Sequence, residues 1–383
     1  NKAWCFVPIQ KKMYLNFLQS FKTELAIVKS CGVWDYVFKC RYQFLYVLYF
    51  IIVNIGLAMY NLMKFNDMLQ SNTLETAVAA GFVLPIALMG NIRSLCFFMN
   101  RKEFFELLTS MDDEIFRPKN TAQMVMAQKM LKYYNNFKLG MYAFSILPSF
   151  GCPIGRMIFG ESGQKYCEAV ITSSRGTAIY LFQAVSLGMI SVINVVTNYF
   201  MVGFSLFIAL QCDQLCYHLE HIDVTKNFKI GEFVQHHRRI LRFAENTEKL
   251  FSFIYFSFII MCLLAFCTTL FMISIIEDRY SFQCLHLIFY QLSIFIMLFI
   301  PCWFSTQVNI KSEKIPLAAY SCAWTENPRS FKHDIIIFMN NSQKPIQFKA
   351  WNLVDLSLET YMAVIKTSFS YYTVLNSLIF EED

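Results

Sequence analysis

Seven apolar stretches, each long enough to cross a bilayer as one helix, leave this chain little choice of fold. A helix rises 1.5 Å per residue, so about 20 residues span the hydrocarbon. The stretches lie near 42–63, 74–99, 134–154, 177–211, 251–276, 285–309 and 355–380. With 56% hydrophobic residues, 40 Phe and 20 Tyr in 383 residues, no soluble core would hide so much apolar surface. The expected fold class is all-α, a polytopic membrane protein with seven transmembrane helices. An odd number of spans puts the two chain ends on opposite sides. The fourth stretch overshoots the hydrocarbon and is expected to tilt or to continue into water through Asp213–Ile222.

Charge orients the spans. Lys and Arg number seven, eight, six and six in the segments 1–41, 93–138, 212–250 and 311–349, against one, three and one in the alternate loops. Such a bias marks the cytoplasmic side. The N-terminus is therefore expected in the cytoplasm and the C-terminus outside, the reverse of a G-protein-coupled receptor. The chain then divides into a cytoplasmic N-terminal segment, 1–41, and six helices with long cytoplasmic extensions, 42–310. A cytoplasmic segment, 311–354, and a last helix with an extracellular tail, 355–383, follow. Residues 1–40 are basic and amphipathic, with aromatics at Trp4, Phe6, Tyr14, Phe17, Phe21 and Trp34. They lack the continuous apolar run of a signal peptide and are expected to form short helices against the membrane face.

Little in the chain speaks for catalysis. It has no phosphate-binding Gly loop, nucleophile elbow or HExxH motif, and the spans hold no paired carboxylates. No enzyme activity, cofactor or nucleic-acid partner is expected. Cys212, Cys216, His218 and His221 have metal-like residue types, but on a helix they do not converge, so no metal site is expected there. The run His236–Arg239 fits the polar face of a cytoplasmic helix. Cys152 and Cys167 face outside across a short loop and are a candidate disulfide.

The last span is too polar for a helix surrounded by lipid. On a 3.6-residue wheel Lys366, Ser370, Thr373 and Ser377 share a face, flanked by Thr367, Val374 and Leu378. Val364, Ile365, Phe369, Tyr372, Leu375 and Ile379 occupy the opposite face. Periodicity alone fits either a helix lining water or one packed in a bundle through its hydroxyls.

Residues 300–379 carry a resemblance. Cys302, Ser312-Glu313, Ala319-Tyr320, Trp324 and Ser342-Gln343-Lys344-Pro345 follow one another in order. Leu356-Ser357, Tyr361 and Ser370-Tyr371-Tyr372-Thr373-Val374-Leu375 complete the series. This series resembles the C-terminal signature of insect odorant receptors. Two departures stand out: Ile300-Pro301 where the family often has Phe-Tyr, and Tyr372 where it commonly has Phe.

The resemblance implies one subunit of a tetrameric ligand-gated, non-selective cation channel at the plasma membrane, in olfactory neuron dendrites. Its implied partners are the insect olfactory co-receptor, a small volatile odorant, membrane lipid and the permeating cations. The short segment Gln211–Leu250 resembles an odorant-tuned subunit rather than the co-receptor. The seventh helix would line the pore, with Val374 and Leu378 as its constriction and Ser370, Thr373 and Ser377 beside it. Trp324, Phe331, Phe338, Phe348 and Trp351 would hold subunits together. The odorant pocket would lie in the outer halves of spans two, three, four and six. At that depth are Val78, Phe82 and Pro85, then Phe144, Ser145, Pro148 and Phe150. Phe182, Ser186, Leu187 and Ile190 follow, with Phe289, Tyr290 and Ser293 last. A gustatory-receptor-type channel and, further off, a metabotropic seven-helix receptor are the rival classes.

Overall fold

Apolar patterning becomes helix almost throughout the computed structural model, which describes residues 17–32, 43–142, 177–222, 230–276, 280–322 and 324–380. Two short helices open it, α1 (Phe17–Ser20) and α2 (Lys22–Ser30). The first two spans are α3 (Gln43–Leu69) and the broken pair α4 (Leu74–Gly81) and α5 (Leu84–Met99). After α6 (Arg101–Ser110) comes α7, described over 121–142. The long helices α8 (Thr177–Glu220), α9 (Gly231–Ile275) and α10 (Phe282–Ser312) follow. Two shorter ones, α11 (Lys314–Ser321) and α12 (Arg329–Ser342), lead through a hairpin, β1 (Lys349–Ala350) and β2 (Val354–Asp355), to α13 (Leu358–Phe380). Five described helical segments are long and apolar enough to cross a membrane. The third expected span lies largely beyond the described residues, as do Cys152 and Cys167.

Burial ranks the helices. The apolar window of α8 is 89% buried and that of α3 only 22%, so α8 is the axis and α3 the rim. On α3, Phe44, Ile52 and Leu62 face outward, as a hydrocarbon solvent allows. Between membrane helices apolarity gives no drive to associate, so packing rests on shape. Here aromatic rings supply it: Phe104 meets Phe200 edge-on at 4.7 Å, and Phe97, Phe204, Phe243 and Phe251 continue the stack.

Two prolines shape the spans. Pro85 sits in the first turn of α5, where a missing N–H costs least, and the chain leaves helix just before it at Phe82–Val83. Pro301 is different, because it lies inside α10 and cannot donate to the carbonyl of Met297. Asn198 on α8 supplies the donor instead, its side-chain amide reaching Met297 O at 3.1 Å. Tyr255 Oη on α9 in turn donates to Asn198 Oδ1 at 3.2 Å. Asn198→Ala is therefore expected to destabilise the fold by about 1–3 kcal/mol, the cost of an orphaned buried carbonyl. Pro301→Ala in the same chain should recover much of the loss. Melting of the detergent-solubilised protein checks both, and an unchanged midpoint for the single variant would remove this role for Asn198.

Several sequence expectations change. The described N-terminal helices bury a face in the bundle: Phe17 and Phe21 pack on α8, and Glu24, fully buried, meets Lys138 of α7 at 2.7 Å. Arg93 and Lys64, counted above with the loop cations, lie inside α5 and α3 and are 0% and 1% exposed. Nor is the His236–Arg239 run only a solvated face. His237 packs on the Phe338 ring and His236 bonds Gln211 Oε1 at 2.9 Å, while Arg239 reaches out toward Asp113.

Candidate functional site

The break ahead of Pro85 turns Phe82 and Val83 into the bundle, where they form a small apolar cluster with Met272 and Leu287. Val78, Leu187 and Tyr290 pack around it, and the rings of Phe82 and Tyr290 meet edge-on at 5.5 Å. Four expected pocket residues, Val78, Phe82, Leu187 and Tyr290, are thus brought together from α4, the α4–α5 junction, α8 and α10. Pro85 is half-buried and makes the break that aims Phe82. Ser186 and Ile190 are buried on α8; Ile190 fills the space over Gly90, where a Cβ would approach its Cγ2 to 2.9 Å. Phe182 is half-buried beside Gly56.

Two expected residues stand apart. Phe289 is 38% exposed, and the Ser293 hydroxyl donates to its own helix at Phe289 O, 2.8 Å away. Phe144, Ser145, Pro148 and Phe150 lie outside the described residues. The sequence reading missed the fifth span's share, Met272 and Ile273 at the end of α9. It named Tyr290 but not Gln291, the next residue on α10. The hydroxyl of Tyr290 and the amide of Gln291 are buried with no hydrogen-bond partner among the described residues. An apolar cluster beside such unspent polar atoms has the chemistry to hold a small, mostly apolar ligand carrying one or two polar groups.

The second part of the site is α13, which packs on α9 and α10 through one face. Val364 and Ser368 are buried there, and the ring of Tyr361 meets Phe299 at 5.4 Å. Lys366, Thr367, Ser370, Thr373, Val374 and Ser377 are all exposed on the rest of the helix. Among the described residues, the hydroxyls of Ser370, Thr373 and Ser377 bond to their own helix. Ser370 donates to Lys366 O at 3.2 Å, Thr373 to Ser370 O at 2.7 Å, and Ser377 to Val374 O at 2.9 Å. With their protons spent on their own helix, they present oxygen lone pairs outward. The side chain of Leu378 lies outside the described set.

The hairpin before α13 is clamped to α9. Trp351 adopts φ 51°, a left-handed conformation uncommon for an aromatic residue, and Asn352 follows at φ 55°. The rings of Phe253 and Phe256 hold Trp351 at 5.3 and 5.1 Å, and its backbone N–H donates to Ser252 Oγ at 2.7 Å. Most of the expected anchor residues turn inward within the subunit. Phe331, Phe338 and Phe348 are 8%, 4% and 3% exposed, because α12 and the hairpin fold onto their own subunit. Trp351 remains half exposed, and the half-buried Trp324 donates its indole N–H to Tyr320 O at 3.1 Å. The large exposed apolar side chains of this region are instead Leu317, Tyr320, Ile336, Ile337 and Leu353.

Comparison with known proteins places these features in a family. The sequence profile described as 7tm odorant receptor matches residues 73–369. Odorant receptor 10 of Aedes albopictus is 25% identical over 244 residues, covering 61% of this chain and 63% of that receptor, so the match spans less than two thirds of the relative. Odorant receptor 46a, isoform A, of Drosophila melanogaster is 18% identical over 375 residues, 93% of this chain and 97% of the relative. The fold is similar to that of the insect olfactory receptor OR5 from Machilis hrabei, solved in complex with eugenol. The TM-score is 0.83 at 14% identity, over 95% of this chain and 100% of that one. A profile match over well more than half of its length, joined to this helical fold, means that the chain belongs to the 7tm odorant receptor family.

Proposed function

We propose that the chain is an odorant-tuned subunit of a ligand-gated cation channel in the plasma membrane of olfactory neurons, assembled with the insect olfactory co-receptor. The observation that carries this reading is the uncovered stripe of α13. Hydroxyl oxygens and Val374 stay exposed, uncovered by the described helices of the subunit, which suits a helix that meets other subunits around water. The cluster about Phe82 and Tyr290 is the proposed odorant site; the OR5 structure was solved with eugenol, a small aromatic with a hydroxyl, and a ligand of that kind suits this cluster. Ligand bound there favours a packing of α8, α9 and α10 in which the α13 helices separate, and it does so by its differential affinity for that state.

Voltage-clamp recording in a heterologous cell, with and without the co-receptor, tests the assignment against volatile aromatics, esters and alcohols. Rapid cation currents that need both chains are the expected result. Substrate uptake without unitary currents would make the protein a transporter instead. Within that assay Tyr290→Phe should raise the half-maximal concentration of a hydroxyl-bearing aromatic about tenfold, as loss of one buried hydrogen bond of roughly 1.4 kcal/mol implies. An unshifted curve would place the Tyr290 hydroxyl outside the site.

A further inference from the structure

A cavity lies away from the Phe82–Tyr290 cluster, between α7, α8 and α10 at the end of the bundle that the charge bias assigns to the cytoplasm. Its volume is about 450 Å³, room for part of a lipid-sized molecule. Most of the wall is apolar, and Tyr133 and Trp303 flank it at 51% and 38% exposure. Amphipathic rings of this kind concentrate where headgroups meet acyl chains. At the rim, Lys311 Nζ contacts both carboxylate oxygens of Asp213, at 2.9 and 2.8 Å. Lys129 on α7 is exposed on the same rim, with no acid within ion-pair distance among the described residues. The rim therefore carries one cation more than its acids balance. Two helical turns deeper, Ser205 is 1% exposed, lines the cavity, and has a hydroxyl with no hydrogen-bond partner among the described residues.

A purely apolar cleft would take any acyl chain. This one adds a surplus cation at the mouth and an unspent hydroxyl further in, and both features ask for the same occupant. We infer that the cleft between α7, α8 and α10 binds an anionic glycerophospholipid of the cytoplasmic leaflet. Its phosphate faces Lys129 and Lys311, its ester oxygens accept from Ser205, and one acyl chain lies along the apolar wall. A basic side chain at an anionic surface favours such lipids by about 1 kcal/mol, which suits recruitment from a leaflet where they are abundant. The inference rests on the charge-derived orientation but not on odorant gating.

Native mass spectrometry of the full chain, extracted from phosphatidylcholine membranes doped with phosphatidylserine, tests it without recording a current. The wild-type chain should retain phosphatidylserine about fivefold over its share of the membrane. Lys129→Glu, on an exposed site, should abolish that preference and leave phosphatidylcholine retention unchanged. Ala209→Trp, which fills the cleft, should release both lipids. A Lys129→Glu chain that still prefers phosphatidylserine would overturn the inference, as would a well-folded Ala209→Trp chain with undiminished retention. Either failure would leave the odorant assignment standing.

Discussion

If the proposed channel forms, Val374→Ala is expected to raise its resting current about tenfold while leaving odorant activation in place. On α13 Val374 is 55% exposed and lies within a stripe whose other described side chains are hydroxyls and Lys366. If α13 helices from several subunits meet there, apolar side chains at one level make a constriction that closes by excluding water rather than by blocking the path outright. Such a barrier depends on both width and polarity, and the two can be separated. Alanine widens the ring. Threonine keeps the shape of valine and adds a hydroxyl, so Val374→Thr should wet the ring at constant width and leak as well. A factor of ten corresponds to about 1.4 kcal/mol in the closed-to-open balance, a modest demand on a ring with several altered members. Leu378, one turn further along, is expected to act in series, so Leu378→Ala should add to the leak. If resting current and conductance survived both alanine substitutions unaltered, the constriction would have to be sought elsewhere on α13.

Gly203→Ala should be among the most damaging single-methyl additions in the molecule. Gly203 lies buried in α8, and the ring of Phe21 rests directly on it. A Cβ there would collide with Phe21 Cζ and Cε1 and approach the Tyr134 hydroxyl to 3.3 Å. Phe21 has nowhere to retreat, since Tyr134, Phe200 and Phe204 hold its ring at 5.5 to 5.8 Å. Overpacking of this kind costs about 1–3 kcal/mol by itself. Moving Phe21 also moves Glu24 three residues on, whose carboxylate is buried and paired with Lys138. Separating that pair strands a charge inside the protein, a penalty of about 3–5 kcal/mol when it is complete. Loss of surface expression and a lowered melting midpoint are the expected readings. Phe21→Leu in the same chain should restore part of both. A Gly203→Ala protein that melted with the wild type would mean the N-terminal helices are not held in this notch.

The spans were legible because hydrocarbon imposes a length and a composition that few other environments demand. The polar stripe of α13 was legible for a related reason, since four residues at helical spacing cannot face lipid together. Val78, Phe82, Leu187 and Tyr290 converged because depth in a bundle can be read from sequence distance to the span ends. The rest needed information that hydropathy lacks. The helices around Phe17 and Phe21 are amphipathic, and that pattern serves equally well against lipid or in a protein groove. Arg93 lies a few residues from the end of α5, so it was counted with the water-facing cations. Its burial depends on the Asn194 carbonyl and the Phe258 ring, both far away in sequence. Phe331, Phe338 and Phe348 have the composition of an interface, yet α12 and the hairpin fold back and use them within the subunit.

The length of α8 has a mechanical consequence. Its 44 unbroken residues make a rod of about 66 Å, twice the thickness of the hydrocarbon. A rod converts angle into distance, so a tilt of about 2° imposed at one end displaces the other by roughly 2 Å, given that length. A guest too small to push any side chain far can thus act as a fulcrum. The same rod passes Asn198 and the Lys311–Asp213 rim on its way, and each is a point where such a lever could be stiffened or let go.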